Sequence, residues 1–396
     1  MASLPPVPDD FTDHRYAVKH GVPLWLRVYP TDVNPAKTPR PWLLWIHGGA
    51  YCSGQHYHLR SWLLPLLHAA GVHVVSIAHR FTPHVSMEEM LEDCADAFAW
   101  CRQNLGAVLA QRGGCATEKY GIGGDSAGGG LATLLACRLR DPPARVVINV
   151  YGVTNMVMQQ EIYDNQPPAE QSWQGDAPEE TIKKIIDDRD PSHAVTATTN
   201  AWNLACLDDE VVKQGHDAIA RGLKGVWKVS DEEWRYNEGV KRQWDVKSYI
   251  GHHKLMVTLP LRLTPEMTTA ERDSIMRKYS ARHLVTKSDV AGSYPPTVFL
   301  HGTADRAVPI DESKDMAAEL RKQGVDVEEL YCEGVDHGWD NMYTSPKDEG
   351  WSRFIVPIGR FVERHLLENS RTEPVGQARL GPLNILSNGK QLHPDL

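Results

Sequence analysis

A glycine-rich segment, GIGGDSAGGG at residues 121–130, limits what this chain can fold into more than any other stretch. A strand-like run, KYGIGG, leads into it, and a helix-like run of small residues, AGGGLATLLACRLR, follows. Ser126 therefore stands at a sharp turn, with Gly124 and Gly128 two positions to either side. Side chains at those two positions would clash in such a turn, so the turn requires glycine at both. The segment predicts either a nucleophile raised above a sheet edge or a loop that binds phosphate groups.

The phosphate interpretation meets fewer of its requirements. A dinucleotide fingerprint, G-x-G-x-x-G, fails when counted from Gly121 and is satisfied when counted from Gly123. That fingerprint opens the first strand–helix unit of its domain, however, and several strand-like runs precede this one. A Walker loop needs a lysine before its Ser or Thr, and none is present. We therefore expect no nucleotide cofactor.

Apolar, strand-like runs alternate with amphipathic, helix-like runs on both sides of this segment. The predicted strands include residues 24–29, 42–47, 145–152 and 296–302. Residues 86–104 predict a long helix, and Ser86 with Glu89 predicts a capping box at its start. Such alternation is typical of a mostly parallel sheet covered by helices on both faces.

The alternation stops between two parts of the chain and then resumes. We predict a discontinuous catalytic core at residues 1–153 and 291–369, a mainly helical insertion at 154–290 and a C-terminal tail at 370–396. The insertion leaves and re-enters beside strands that end near Ser126, so we expect it to cover that site as a lid. It holds five tryptophans, most of them expected in its own core and one or two facing the site: Trp173, Trp202, Trp227, Trp234 and Trp244.

Three further motifs supply what a nucleophilic serine needs. His47-Gly48-Gly49-Ala50 follows a predicted strand and is typical of a loop whose N–H groups bind an oxyanion. HGTADRAVP follows another strand and contains Asp305, and EGVDHGW follows the next and contains His337. The chain order Ser, Asp, His at strand ends is that of the α/β-hydrolase fold.

With these motifs, HGGAY, GDSAGGG, HGTADRAVP and DHGW, the chain resembles the hormone-sensitive-lipase group of α/β-hydrolases. The resemblance covers about 40–155 and 295–368 and includes HRFTPH at 79–84. It implies an α/β-hydrolase fold and no cofactor or metal. The group usually has a cap built partly from N-terminal helices, whereas the extra residues here lie at 154–290, so the substrate pocket of the group cannot be carried over. It also implies roles for six residues: Ser126 as nucleophile, His337 as base, Asp305 as the acid that orients it, and Gly48, Gly49 and Ala127 as oxyanion N–H donors.

The sequence departs from the group at two positions and leaves several side chains open to more than one interpretation. His79 stands where the group has tyrosine and His84 where it has glutamate, which puts local packing in doubt rather than chemistry. Asp336 and Asp311 compete with Asp305 for the acid role, although Asp311 is expected to be a helix N-cap. Asp125 either holds the oxyanion loop by hydrogen bonds or is a simple turn residue. We expect Cys52 to be a packing residue and the histidines at 56–58 and 251–254 not to bind a metal. Tyr51 and Trp339 are expected to line a substrate pocket.

Composition excludes some classes of function. The net charge is −9 over 396 residues, which disfavours a broad nucleic-acid surface. The most apolar stretch is interrupted by proline, glycine and histidine, so no membrane span is expected. Seven scattered cysteines without a CxxC pair, and an N-terminus without a leader pattern, predict free thiols and a cytoplasmic protein.

Two functions from different classes fit these features. The first is a serine hydrolase that cleaves a carboxylic ester, lactone or thioester through an acyl-enzyme. Its substrate would be a small to medium-sized molecule, with a bulky natural product at the upper end of that range. The protein would be a monomer or a homodimer. The second is a non-catalytic small-molecule receptor on the same fold, which is disfavoured because Ser126, Asp305 and His337 are all present.

Overall fold

Strands that are buried along their whole length build the centre of the molecule. The computed structural model describes residues 10–31, 38–165, 177–198, 224–236, 240–287, 290 and 292–367. Within these residues the strands are β1 (Thr12–Lys19), β2 (Val22–Tyr29), β3 (Arg40–Ile46), β4 (His73–Ile77), β5 (Ala116–Asp125), β6 (Val147–Val150), β7 (Thr297–Gly302) and β8 (Val327–Cys332). They form one sheet in the order β1-β2-β4-β3-β5-β6-β7-β8.

Most neighbouring strands in this sheet run parallel. β1 pairs antiparallel with β2, and β2 pairs antiparallel with β4. Every pair from β4 through β3, β5, β6 and β7 to β8 is parallel. The carboxyl ends of β5, β7 and β8 therefore meet at one edge of the sheet, which is where ligand sites form in such folds.

Alternate residues of one strand belong to two different apolar clusters. On β3, Leu44 and Ile46 pack in the cluster that includes Leu91 and Phe98 of the long helix. Leu43 and Trp45 pack in the cluster that includes Phe361 near the C-terminal end of the described chain. Because successive side chains of a strand point to opposite faces, the sheet has a core on both sides.

Helices follow and separate the strands, and several of them lie within the predicted insertion at 154–290. They are α1 (Leu63–Ala69), α2 (Met87–Ala110), α3 (Ala127–Arg138), α4 (Met156–Asn165), α5 (Glu179–Asp187), α6 (Asp231–Tyr236), α7 (Val240–His252), α8 (Thr269–Lys278), α9 (Ala281–Leu284), α10 (Ile310–Lys322) and α11 (Val356–Val362). Turns of π-helix at Trp351–Ile355 and Glu363–Leu367 flank α11. The predicted capping box of α2 is present, since Ser86 Oγ accepts from the Glu89 N–H and Glu89 accepts from the Ser86 N–H.

The sequence pattern located the sheet well and missed one strand. Each predicted strand overlaps an observed one, and the mostly parallel sheet is confirmed. β1 went unpredicted because it lies at the edge with only one fully buried residue, Tyr16, so it lacks an apolar run. Among the described residues, no helix is long and apolar enough to cross a membrane. The cysteines that the structure describes, all but Cys206, are free thiols.

Residues of the predicted insertion at 154–290 contact residues of the predicted core at several points. The N–H of Met87 donates to Pro260 O at 2.8 Å, and Arg262 Nη1 donates to Pro83 O at 2.6 Å. Trp227 is buried against Tyr57 of the core, with ring centroids 5.3 Å apart. Of the other tryptophans, Trp234 packs against this group, whereas Trp173, Trp202 and the side chain of Trp244 lie outside the described residues.

Candidate active site

The turn between β5 and α3 has the geometry that the glycine pattern predicts. Ser126 adopts φ 53° and ψ −124°, a conformation that L-residues rarely occupy. A Cβ on Gly124 would lie 2.4 Å from Gly128 O, and one on Gly128 would lie 2.2 Å from Ile46 O. Both contacts are with backbone, which cannot move aside. The strained turn at Ser126 therefore requires glycine at both flanking positions, 124 and 128.

His337 connects Ser126 to a carboxylate. Its Nε2 lies 3.0 Å from Ser126 Oγ, and its Nδ1 lies 2.7 Å from Asp305 Oδ2. Asp305 follows β7 and His337 follows β8, so loops at two neighbouring strand ends bring them to the serine. The structure thus brings together the three residues that the sequence singled out.

The environment of Asp305 keeps it ionised. Its Oδ1 accepts from the N–H groups of Ala307 and Val308, both at 2.9 Å. Burial alone would raise the pKa of Asp305, but hydrogen bonds from His301 and His337 hold that pKa well below its ordinary value. A carboxylate that stays charged can hold His337 with its proton on Nδ1.

The two competing carboxylates lie elsewhere. Asp336 pairs with the exposed Arg306, whose Nε donates to Asp336 Oδ2 at 2.6 Å. Its other oxygen accepts from the backbone N–H of His337, not from the ring. Asp311 lies in the first turn of α10, whose N-cap is Pro309, so the expected N-cap role of Asp311 is wrong. An N-cap at Asp311 would require the helix to begin at Glu312, but the helix begins two residues earlier, at Ile310.

The loop after β3 lies against the serine turn. Gly49 has φ 131°, and a Cβ there would lie 2.0 Å from Ser53 O. A Cβ on Gly48 would lie 2.7 Å from Asp125 Oδ2. Burial raises the pKa of Asp125, while a hydrogen bond from the Gly48 backbone works in the opposite direction. Asp125 therefore contacts the loop directly, as one of the two interpretations of this residue expected.

A buried polar network beneath the site was not foreseen from the sequence. Asp340 accepts hydrogen bonds from Arg60 Nε (2.9 Å), Trp62 Nε1 (2.7 Å) and the Tyr151 hydroxyl (2.8 Å). Arg60 also lies 3.6 Å from Asp125, and the Tyr151 ring packs on His337 with centroids 4.4 Å apart. The network links the serine turn to the loop that carries His337. The motif DHGWD contained the signal, since a second aspartate follows the histidine by three residues.

A cavity of about 300 Å³ opens at Ser126 and His337. The core supplies Tyr51, which lines it as predicted, together with residues of the loops at 47–60. The insertion supplies Met156, Gln159, Tyr163, Lys247, Met256 and Val257. Trp339, the other predicted pocket residue, is not among the lining residues, because its indole packs on Tyr343 and Phe354. Trp227 and Trp234 do not line the cavity either.

The two histidines that depart from the family pattern are packing residues. His79 stacks on His47 with ring centroids 4.9 Å apart, and both are buried. Burial lowers the pKa of His47 to about 3 and also lowers that of His79. His84 is buried as well, with its Nδ1 3.6 Å from Asp188 of the insertion. Cys52 is buried in an apolar cluster, and burial raises the pKa of its thiol to about 12, so it is a packing residue.

Two protein-family profiles match this chain, and between them they include Ser126, Asp305 and His337. A sequence profile described as the α/β hydrolase fold matches residues 43–221, which include Ser126. A second profile, of the prolyl oligopeptidase family, matches residues 252–351, which include Asp305 and His337.

Individual relatives fall into two kinds. Ethyl acetate hydrolase of Pseudomonas putida is 31% identical over 153 residues, which are 37% of this chain and 46% of that enzyme. Arylacetamide deacetylase of Oryctolagus cuniculus is 31% identical over 160 residues, 39% of this chain and 38% of that enzyme. A non-reducing polyketide synthase of Penicillium roqueforti is 23% identical over 371 residues, 89% of this chain. This chain spans 13% of that synthase and less than half of either smaller relative.

Solved structures agree on the architecture. An α/β hydrolase superfamily protein from Enterococcus faecalis superposes with a TM-score of 0.54 at 15% identity, covering 90% of this chain and 97% of that one. An esterase from Pyrobaculum calidifontis gives 0.52 at 18% identity, covering 91% and 87%. The chain therefore has the α/β-hydrolase fold. The first profile and the two smaller relatives support the resemblance to the hormone-sensitive-lipase group that the four motifs indicated.

Proposed function

We propose that this protein is a serine hydrolase that cleaves carboxylic esters through an acyl-enzyme. The observation that carries the proposal is the hydrogen-bonded series Ser126–His337–Asp305, at 3.0 and 2.7 Å, in the wall of a cavity large enough for a small substrate. The relatives named as an ethyl acetate hydrolase and an arylacetamide deacetylase support the same class of reaction.

In this proposal His337 is the general base. Its Nε2 takes the proton of Ser126 Oγ as the oxygen attacks the ester carbonyl, and it then returns that proton to the leaving alcohol. Asp305 accepts from Nδ1–H and stabilises the imidazolium that forms. The acyl group stays on Ser126 until water, activated by the same histidine, releases it.

Backbone N–H groups would stabilise the oxyanion. Ala127 is the first residue of α3, so its N–H is one of those that a helix leaves without an internal acceptor. Gly48 and Gly49 line the same cavity as Ala127. Because the Gly48 N–H is shared with Asp125, we assign the donation chiefly to Gly49 and Ala127. Gly48 and Asp125 would then fix the position of the loop.

We propose that the insertion at 154–290 acts as a lid that sets substrate choice, while the core at 1–153 and 291–369 sets the chemistry. Six of the cavity-lining residues belong to the insertion, and the others that the structure describes belong to the core. A lid of this kind would exclude water from the acyl-enzyme and strengthen the electrostatic contacts inside the cavity.

A second candidate substrate class is a thioester. The alignment with a polyketide synthase extends over 89% of this chain, further than that with either smaller relative. Polyketide synthases carry their acyl chains as thioesters, and a serine hydrolase can release such a chain with the same residues. Comparing N-acetylcysteamine thioesters with ethyl esters of the same acyl group separates the two: a thioester preference well beyond the uncatalysed reactivity ratio favours acyl release.

Labelling with a fluorophosphonate tests the proposed function against the receptor alternative. A hydrolase should be phosphonylated on the peptide that contains Ser126, and the Ser126→Ala variant should not be labelled. Ser192→Ala, which removes an exposed hydroxyl in the insertion, is the control and should label normally. Failure of the folded wild-type protein to react would overturn the proposal and favour a binding protein.

A further inference from the structure

A buried glutamine of the predicted insertion contacts the loop that carries Asp305. Gln159 lies on α4, lines the same cavity as Ser126 and is 2% exposed. Its Nε2 donates to Ala307 O at 3.0 Å. Because a carbonyl oxygen only accepts hydrogen bonds, the amide nitrogen of Gln159 is the atom that faces it. This bond therefore fixes the orientation of the side-chain amide at the cavity wall.

The peptide group between Ala307 and Val308 is hydrogen-bonded through both its oxygen and its nitrogen. Its carbonyl oxygen accepts from Gln159, and its N–H, which belongs to Val308, donates to Asp305 Oδ1 at 2.9 Å. A hydrogen bond to the oxygen of a peptide group polarises that group and strengthens donation by its N–H. Burial raises the pKa of Asp305, and the hydrogen bond from Val308 is one of those that lower it. Gln159 thus reaches the carboxylate of Asp305 through a single peptide group.

The residues just before α4 are bound to the helix that follows this loop. The N–H groups of Thr154 and Asn155 donate to Glu312 Oε2 of α10 at 2.8 and 2.6 Å. The Thr154 hydroxyl also donates to Glu312 O at 2.7 Å. Because α10 comes directly after the loop of Asp305, α4 is held at one point by Glu312 and at another by the bond from Gln159 to Ala307. Two separate contacts therefore fix α4 against this part of the core.

A buried histidine of β7 holds the next peptide group of the same turn. His301 Nε2 lies 2.9 Å from Val308 O and 3.3 Å from Asp305 Oδ2. Both of these oxygens are acceptors, so Nε2 carries the ring proton and Nδ1 accepts from the Ser313 hydroxyl at 2.7 Å. The turn after Asp305 is thus held by one side chain of the sheet and by one side chain of the predicted insertion, Gln159.

We propose that Gln159 is a positioning residue for the acid of the triad: by binding the Ala307 carbonyl, it fixes the peptide group that holds Asp305. This role rests on the proposed serine hydrolase function, because it concerns the same three residues. Gln159 acts through that peptide group and not on the reacting atoms of the substrate. Since Gln159 lies in the predicted insertion, the insertion then contributes to the chemistry as well as to the choice of substrate.

Kinetics in two backgrounds test this role, with spontaneous hydrolysis subtracted from every rate. Gln159→Met keeps the length of the side chain and removes the donor. The kcat for p-nitrophenyl acetate should therefore fall about 3- to 10-fold with KM little changed, as expected for one lost neutral hydrogen bond. The same substitution made in Asp305→Ala should lower kcat less than about twofold, because the carboxylate on which Gln159 acts is already absent. Equal losses in the two backgrounds would overturn the proposal, since they would show that Gln159 does not act through Asp305.

The matched control is Gln160→Met, on the same helix. Gln160 is also buried, but its Nε2 donates to Asp164 within α4 at 2.8 Å, and it is not among the described residues that line the cavity. This control should keep the kcat of wild type. Gln159→Leu, which also has no donor, covers the case in which Gln159→Met does not fold. It should show the same loss, and a folded Gln159→Leu with the kcat of wild type would overturn the proposal.

Hydrogen exchange followed by mass spectrometry tests the same coupling without turnover. In Gln159→Met, a peptide that spans residues 305–309 should exchange about 3- to 10-fold faster than in wild type, because the Val308 N–H is held less firmly. Gln160→Met should exchange like wild type. Unchanged exchange in folded Gln159→Met would overturn the proposal and leave the proposed function intact. Absent turnover in wild type, together with faster exchange in Gln159→Met, would count only against the hydrolase function.

Discussion

Arg60 and Asp340 are 280 residues apart in the chain and form a buried, bidentate ion pair beneath the proposed active site. Tyr151 and Trp62 complete the hydrogen bonds of the same carboxylate. Because Asp340 follows His337 by three residues, the pair fixes the loop that carries the histidine. Arg60 in turn reaches Asp125 beside the serine, so one network spans both halves of the site.

Breaking this pair from one side should be costly. Asp340→Asn leaves the Arg60 guanidinium buried with its main counter-charge gone, and we expect a loss of about 3 to 5 kcal/mol in the free energy of unfolding. Urea unfolding followed by circular dichroism measures it. The control is Asp187→Asn, which breaks an exposed pair with Lys183 and should cost far less, because exposed ion pairs are screened by water and salt. Equal losses in the two variants would contradict the role given to the network.

The choice of acid can be tested with two identical substitutions. Asp305→Asn should lower kcat for p-nitrophenyl acetate by a factor on the order of 10⁴, because a neutral amide no longer holds His337 in the required tautomer. Asp336→Asn removes the charge that pairs with the exposed Arg306, while the amide oxygen can still accept from the His337 N–H, so the variant should cost less than about tenfold. Steady-state kinetics of both variants gives the answer. If Asp336→Asn is the crippling change, the carboxylate has been assigned wrongly.

The insertion should contribute a pH dependence of stability through Glu233. Burial raises the pKa of this carboxyl to about 8 from an ordinary 4.5. Between these values the folded protein holds a proton that the unfolded chain has released, so its stability falls as pH rises through this window. Glu233→Gln keeps the group neutral at every pH and should become more stable than wild type toward pH 8, by at most about 1.4 kcal/mol per pH unit.

Urea unfolding at pH 5.5, 6.5 and 7.5 measures this difference, with the exposed Glu232→Gln as control. Comparing each variant with wild type at the same pH removes the contribution of Glu312, another buried carboxyl whose pKa burial raises to about 8. A stability difference between Glu233→Gln and wild type that stays constant with pH would show that Glu233 does not hold a proton in the folded protein.

The size limit set by the insertion can be tested by filling the cavity. Met256→Trp adds bulk to the wall that the insertion supplies, so we expect kcat/KM for p-nitrophenyl octanoate to fall at least tenfold while that for the acetate falls less than threefold. Val18→Trp, at an exposed position on β1, is the control for added bulk. Parallel losses on both esters would mean that Met256 does not face the acyl chain.

Local sequence chemistry sufficed to predict the parts of the site that have strict steric demands. Gly124 and Gly128 admit no side chain, so the pattern around Ser126 could be recognised without the fold. Asp305 and His337 could also be predicted from the sequence, because each lies in a motif that follows a predicted strand. The motif DHGWD includes Asp340, but its pairing with Arg60 could not be predicted, because that pairing depends on how two distant loops meet. The prediction that Trp339 lines the pocket was wrong for a related reason, because its indole packs on Tyr343 and Phe354.

The sequence of the predicted insertion contains no motif with comparably strict steric demands. Its helices pack by apolar faces whose partners are distributed over the core and the insertion, as with Ile250 beside Cys52. Composition predicted helices there, and their attachment points predicted nearness to the site. Neither could indicate that Lys247 and Met256, rather than the tryptophans that the structure describes, would line the cavity.

Hydrolysis by Ser126→Ala tests the central claim most directly. The variant removes the hydroxyl 3.0 Å from His337 Nε2 and leaves the turn, the histidine and the cavity in place. The measurement is kcat/KM for p-nitrophenyl acetate with purified wild type and variant, each confirmed as folded by circular dichroism. We predict hydrolysis by wild type and a loss of several orders of magnitude in the variant. Turnover by the variant at the wild-type rate would contradict the account.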